Sequence, residues 1–425
     1  MEPSSPSPSS SSIVLSYDDA ARTVREQANS LNAHQRGTES VDLLDSLGRI
    51  LAAPVLADRD QPPFSRSTRD GFACRSADLA SGEALQIIGQ LRAGEFWTGP
   101  ALEPGQAIEI MTGAPVPTGA DCVLMVEHAV QHAVVDGTRI STARQIAADE
   151  NIVPGGAEAR AGATLVPAGT RIGPHHIAAS AACGYASLPV YTRPRVAILA
   201  TGDELVPIAD DPLSHQIRNS NSYSIAAQVL QHGGRPVLHP IVRDNLAAIK
   251  FSIAEALSCD MLILSGGVSM GKYDFVEQAL LNLRAEFFFT GVRMQPGRPV
   301  VFGRLPAGDG HRYFFGLPGN PVSTMVTFAL FAAPLLGALA GQAGGEIGPR
   351  FVEAHLASDL QAKPGLTQFL PAQLKSNSSG AAVQPIAWQG SGDQAAASKA
   401  NCFLVVPEQA ERLSAGTAVR NLLFS

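Results

Sequence analysis

Leu262-Ile263-Leu264-Ser265-Gly266-Gly267-Val268-Ser269-Met270-Gly271-Lys272-Tyr273-Asp274 passes from an apolar run into a Ser/Gly loop, and the text after it has helical spacing. A short apolar run closed by glycines reads as a buried strand, because glycine allows the positive φ of a sharp strand-to-helix turn. Amides left free by such a loop can cradle phosphate or another oxyanion. A lone Gly-rich loop does no more than permit the turn. Here Ser265 and Ser269 beside Gly266 and Gly267, with Asp274 following, give the loop groups that a turn does not need.

Outward from this stretch, the chain beyond Pro194 alternates apolar runs with helical spacing. Val196 to Ala200, Asp260 to Leu264 and Tyr313 to Leu317 read as strands; Ser222 to His232, Leu246 to Leu257, Phe275 to Leu283 and Val322 to Leu339 read as helices. The alternation predicts a parallel α/β sheet with ligands at the carboxyl ends of its strands. Before it, short β-type runs such as Ala107 to Met111, Cys122 to Val126 and Thr138 to Ile140 predict a small β domain. Within Ser16 to Ala52, Leu43, Leu44, Leu47 and Ile50 fall at helical spacing, and two short helices are expected. A Gly-rich linker at Ala340 to Gly348 precedes a C-terminal β domain that includes Cys402 to Val406.

At 425 residues the chain exceeds a single domain of usual size. The formal charge of −7 is spread without any lysine or arginine run, which argues against nucleic acid as a partner. Five cysteines stand far apart with no metal-ligand spacing, as expected of reduced, buried thiols in a cytoplasmic protein. The Ser/Pro-rich residues 1–12 read as a disordered tail rather than a signal peptide. Met325 to Gly341 is the one membrane-like stretch, but Pro334 interrupts it and it is short, so a buried helix and no membrane is the expectation.

Three further switches from strand to loop carry polar groups. Phe314 to Leu317 runs into Pro318-Gly319-Asn320-Pro321-Val322-Ser323, where Pro321 suits a first helical turn and leaves neighbouring amides to face a ligand. Thr201-Gly202-Asp203-Glu204 follows one strand, and Arg243-Asp244-Asn245 follows another expected at Pro240 to Val242. Glu204, Asp244 and Asp274 form a candidate acidic set. Carboxylates around a phosphate loop repel their ligand unless a cation lies between, and hard oxygen donors point to Mg²⁺. Arg298, in the turn Gln295-Pro296-Gly297-Arg298, could pair bidentately with an oxyanion.

These segments in this order resemble the molybdopterin molybdenumtransferase family, which includes the C-terminal E domain of gephyrin. The matching text adds Pro62-Pro63-Phe64, Asp70-Gly71-Phe72-Ala73, Ile110 to Pro115 and Pro167 to Thr170. The resemblance implies that adenylylated molybdopterin and molybdate give molybdenum cofactor and AMP, with Mg²⁺ assisting, in a homodimer that meets other cofactor-biosynthesis or acceptor proteins. It implies a multidomain α/β plus β fold: an interrupted N-terminal domain with a helical lead-in at 13–56 and 163–189, and an inserted β domain at 57–162. An adenylyltransferase-like parallel α/β domain at 190–346 and a C-terminal β domain at 347–425 complete it.

By resemblance the functional acids are Asp70, Glu204, Asp244 and Asp274, with Asp244 and Asp274 as metal ligands and Thr112 beside them. The substrate loops fall on Ser265, Gly266, Gly267, Ser269, Pro318, Asn320, Pro321 and Ser323. The oxyanion side falls on Gln295 and Arg298, where the family often has lysines. Gly155-Gly156-Ala157-Glu158 departs from an Arg-Gly-Glu-Asp-like stretch, Arg69 from a methionine, and a C-terminal-domain arginine is replaced near Pro371. Two alternatives follow: the related molybdopterin adenylyltransferase activity, or a scaffold that keeps the fold without the chemistry. The resemblance also implies a pocket shared across the dimer, with Asp70 from one chain and Asp274 from the other.

Overall fold

The computed structural model describes residues 13–31, 37–267, 275–308, 310–343, 348–378 and 380–424. The tail at 1–12, Ser269 and Asp274 lie outside the described residues.

The centre of the molecule is a six-stranded sheet ordered Arg235–Leu238, Arg195–Ala200, Met261–Ser265, Gly310–Leu317, Val301–Ala307 and Glu286–Phe289. Successive side chains of a strand point to opposite faces, and here both faces are covered. Val196, Ile198, Met261 and Ile263 therefore enter one core cluster, while Ala197, Leu199, Leu262 and Leu264 enter another. This is why these strands read as unbroken apolar runs.

The sheet is not wholly parallel. Its first four strands are parallel, whereas Val301–Ala307 and Glu286–Phe289 join by antiparallel pairing. The connection between Val301–Ala307 and Gly310–Leu317 is too short for a crossover, so it must be a hairpin. The strand expected at Pro240 to Val242 is instead Arg235–Leu238; beyond it only Val242 bridges, to Thr201. Pro236 is tolerated because that strand is an edge.

Four helical segments cover this sheet: Asn221–Gln231, Leu246–Ala256, Phe275–Asn282 and the run Pro321–Leu339. The last is helical throughout but passes through a π segment, Phe328–Ala332, immediately before Pro334. Proline removes one backbone donor, and widening the preceding turn accommodates the lost bond. Among the described residues it is the one helix long and apolar enough to cross a membrane, and 83% of it is buried inside the protein, as a core helix would be.

Among the described residues, the region 16–52 holds one α-helix, Tyr17–Asn29, and where a second was expected only the single 3₁₀ turn Leu44–Ser46. Gly48 adopts φ +74°, the strand Thr38–Asp42 pairs with Ser187–Tyr191, and Leu44 and Leu47 are 78% and 54% exposed. Their spacing marks one short turn rather than an amphipathic helix. The strand Val14–Ser16 pairs with Gly291–Gln295, and the following helix buries Ala20, Val24 and Ala28 in the α/β core, although sequence grouped this stretch with the interrupted domain.

The inserted domain is a six-stranded sheet ordered Cys122–Met125, Gly71–Cys74, Gln106–Ile110, Leu85–Leu91, Gly137–Ser141 and Val130–Val134. At the C-terminus, Thr367–Asn377, Gly380–Pro385, Phe351–Leu356, Ala418–Leu423 and Cys402–Val406 close on themselves, since the last pairs back with the first. Gly291–Gln295 joins this barrel by pairing with Thr367–Asn377. All five cysteines are free and buried.

Candidate functional site

Two adjoining clefts open at the carboxyl end of the central strands. The larger, about 580 Å³, is lined by Thr201, Glu204, the stretch 216–221, Ser265, Gly266, Gly319, Asn320 and Pro321. The smaller, about 340 Å³, is lined by Gln295, Arg298, Pro318, Asn320, Ser323 and, from the C-terminal domain, Leu366, Trp388 and Ser391. Asn320 belongs to both.

Loop geometry builds the larger cleft. Gly266 and Gly267 take φ +87° and +62°, and a Cβ on Gly266 would lie 2.5 Å from the Thr201 carbonyl oxygen. Only glycine fits there. Asn221, at the start of its helix, donates from Nδ2 to Ser265 Oγ at 3.1 Å and to the Gly319 carbonyl at 2.7 Å, tying the two loops together. Its Oδ1 and the Thr201 hydroxyl are buried without partners. Thr324 Oγ1 donates to the Pro318 carbonyl at 2.5 Å, and Pro321 opens the next helix as its spacing predicted.

A loop of the C-terminal barrel walls both clefts. Asn320 Nδ2 donates to Ser391 Oγ at 2.8 Å, the Val322 amide to the Ser391 carbonyl at 3.0 Å, and Gln394 Nε2 to Ser220 Oγ at 2.6 Å. Ser391, Trp388 and Gln394 had no signal in the sequence, because only docking of a separate domain brings them here. Asn221 did have one: Asn219-Ser220-Asn221 before a helical run is capping text.

Of the acids, Glu204 lines the larger cleft and Asp244 a shallower depression beside it with Asn245, Lys250 and Phe275. Burial, then the nearby Asp203 and Glu204 carboxylates, push the Asp244 carboxyl above its usual range. Neighbouring carboxylate oxygens are donors of the kind a hard cation takes. Among the described residues, however, no group of three or more His, Cys, Asp or Glu side chains already has the geometry to hold one.

Asp70 and Thr112 are brought together elsewhere. Gly71 is in register with Ile110, which sets their flanking residues side by side. The Thr112 amide and hydroxyl both donate to Asp70 Oδ1, at 2.7 and 2.8 Å, and hold that carboxyl below its usual range. Neither residue lines the two clefts of its own chain. Glu158, in the departing stretch, pairs with Arg66 at 2.9 Å, and Pro371 lies within a barrel strand opposite Phe403.

Comparison with known proteins accounts for nearly the whole chain. Residues 15–184 match the MoeA N-terminal region (domain I and II), 197–338 a probable molybdopterin binding domain, and 353–424 the MoeA C-terminal region (domain IV). A molybdopterin molybdenumtransferase of Nostoc sp. is 39% identical, over 77% of this chain and 74% of that protein. One of Bacillus subtilis is 34% identical, over 92% and 90%. A crystal structure of the molybdopterin biosynthesis MoeA protein from Pyrococcus horikoshii superposes with TM-score 0.76 at 26% identity, covering 97% of this chain and all of that one. Similarity that runs through all of these regions in order makes the chain a member of the MoeA family, the molybdopterin molybdenumtransferases.

Proposed function

We propose that the chain is a molybdopterin molybdenumtransferase that converts adenylylated molybdopterin and molybdate into molybdenum cofactor and AMP. The observation that carries this reading is the joining of two clefts through Asn320, one built on a glycine loop suited to phosphates, the other holding Arg298 beside neutral donors. Ser265 and the amides at Gly266 and Gly267 hold the phosphates, and Ser269, outside the described residues, is assigned to the same substrate by resemblance. Pro318 and Pro321 fix the second loop, while Gln295, Arg298 and Ser323 receive the oxyanion.

Asp244, with Asp274, is the proposed Mg²⁺ ligand pair, and Glu204 lies close by. The cation, when bound, neutralises phosphate charge that these carboxylates would otherwise repel. Asp70, anchored by Thr112, serves a pocket of the second subunit in a homodimer; its position away from the clefts of its own chain supports that arrangement. Five unpaired, buried thiols support a cytoplasmic setting. Delivery to acceptor proteins follows from the product.

The test is product analysis with purified protein, adenylylated molybdopterin, molybdate and Mg²⁺. AMP release with transfer of molybdenum is expected. Pyrophosphate release from ATP and molybdopterin would establish the adenylyltransferase alternative, and absence of molybdopterin binding the scaffold alternative.

A further inference from the structure

The smaller cleft is poor in charge for a site that takes a dianion. Among its described lining residues Arg298 is the one formal cation, and no Asp or Glu lines it. Where the family often carries lysine, Gln295 offers a neutral amide. The remaining side-chain donors are the amide of Asn320, the hydroxyls of Ser323 and Ser391 and the indole of Trp388. Ser391 Oγ already accepts from Asn320 Nδ2, so its own hydrogen stays available.

Trp388 differs from the other tryptophan of the chain. The Trp97 indole N–H donates to the Pro100 carbonyl at 2.8 Å. No described residue takes a hydrogen bond from Trp388, and its nitrogen is not among the sealed, unpartnered atoms. Its ring packs partly against the main core cluster, which fixes it, while the residue forms part of the cleft wall. A fixed donor without an acceptor among the described residues, on the wall of an anion cleft, is a preorganised ligand contact.

We propose that Trp388 Nε1–H is an oxyanion donor and that this cleft selects fully deprotonated tetrahedral dianions by neutral hydrogen bonds rather than by net charge. This rests on the reading of the cleft as the molybdate seat. Molybdate, tungstate and sulfate carry no proton at neutral pH and can accept from every donor around them. Hydrogen phosphate retains a proton that needs an acceptor, and with no carboxylate on the wall only the neutral oxygens of Gln295, Asn320 and the serines are there to take it, each of them a weaker acceptor than a carboxylate. Neutral donors also make binding less sensitive to salt than a pair of lysines would.

The experiment uses the full chain with molybdate as probe, and sulfate and inorganic phosphate as competitors. Molybdate should move the indole N–H resonance of Trp388 downfield and leave that of Trp97 in place. Sulfate should compete, and phosphate should do so at least about tenfold less well. Trp388→Phe keeps an aromatic ring against the core and removes the indole N–H with its five-membered ring; it should weaken molybdate binding about tenfold while AMP binding stays as in the wild type. If Trp388→Phe does not fold, the resonance shift in the wild type decides. An unmoved Trp388 resonance, undiminished molybdate binding by the folded Trp388→Phe variant, or equal competition by phosphate overturns the proposal. If the wild-type chain releases no AMP from adenylylated molybdopterin, the functional reading fails instead, and the binding data still report on the donor.

Discussion

Burial and the carboxylates of Asp203 and Glu204 push Asp244 upward, so the folded chain keeps that proton to higher pH than the unfolded chain does. A raised pKa contributes stability that is full below the ordinary carboxylate value and is lost as pH rises through the folded one. Ionised Asp244 therefore costs stability at neutral pH. Asp244→Asn is expected to raise Tm at pH 7.5 but not below pH ~3, where both states hold the proton, and to lower AMP release by roughly a hundredfold. Mg²⁺ should raise the Tm of the wild type and not of the variant. A variant less stable than the wild type at pH 7.5 would contradict this account. At Gln295 the expectation runs the other way: Gln295→Lys adds a cation beside Arg298 and should lower the molybdate needed for half-maximal turnover several-fold. An unchanged requirement would mean that the neutral donors already saturate the oxyanion.

The glycine turn after Met261–Ser265 is the element on which the larger cleft depends. A Cβ on Gly266 would strike the strand-to-loop switch at Thr201, and one on Gly267 would lie 2.7 Å from the Thr201 hydroxyl and 2.9 Å from a Val276 methyl. The sheet itself does not depend on that contact, since Met261–Ser265 is held on both sides by parallel neighbours. Gly266→Ala would force a methyl group to 2.5 Å from a backbone oxygen at φ +87°. Its expected cost is about 1–3 kcal/mol in stability with loss of AMP binding, read by thermal denaturation and calorimetric titration. Retained AMP affinity would remove this turn from the phosphate site.

At the scale of the molecule, Asp70 and Thr112 stand on the inserted sheet, while Glu204 and Asp244 stand at the end of the central one. If two copies form composite pockets, a mixed dimer of Asp70→Asn and Asp244→Asn chains carries both lesions in one pocket and none in the other. Each parent should be inactive. Co-refolding equal amounts should restore roughly a quarter of wild-type activity, because half the dimers are mixed and each has one intact pocket. Verified mixed dimers as inactive as their parents would mean that both acids serve the same pocket.

The sequence by itself determined the central strands and their order of chemistry. Two-sided burial writes Val196 to Ala200 and Met261 to Leu264 as apolar runs, and glycine is required wherever a turn needs positive φ, so both the sheet and the Ser265-Gly266-Gly267 loop were legible. Tertiary structure alone decided the antiparallel edge, since a hairpin and a crossover differ in loop length and pairing rather than in apolar pattern. It also cut the helix expected around Leu43, Leu44 and Leu47 to the single 3₁₀ turn Leu44–Ser46, because the strand Thr38–Asp42, paired with Ser187–Tyr191, ends just before it and Gly48 turns the chain just after it. The wall of the smaller cleft was the least legible part. Trp388 and Ser391 reach Asn320 only when the barrel docks on the sheet, and contacts between residues some seventy positions apart leave no local period to read.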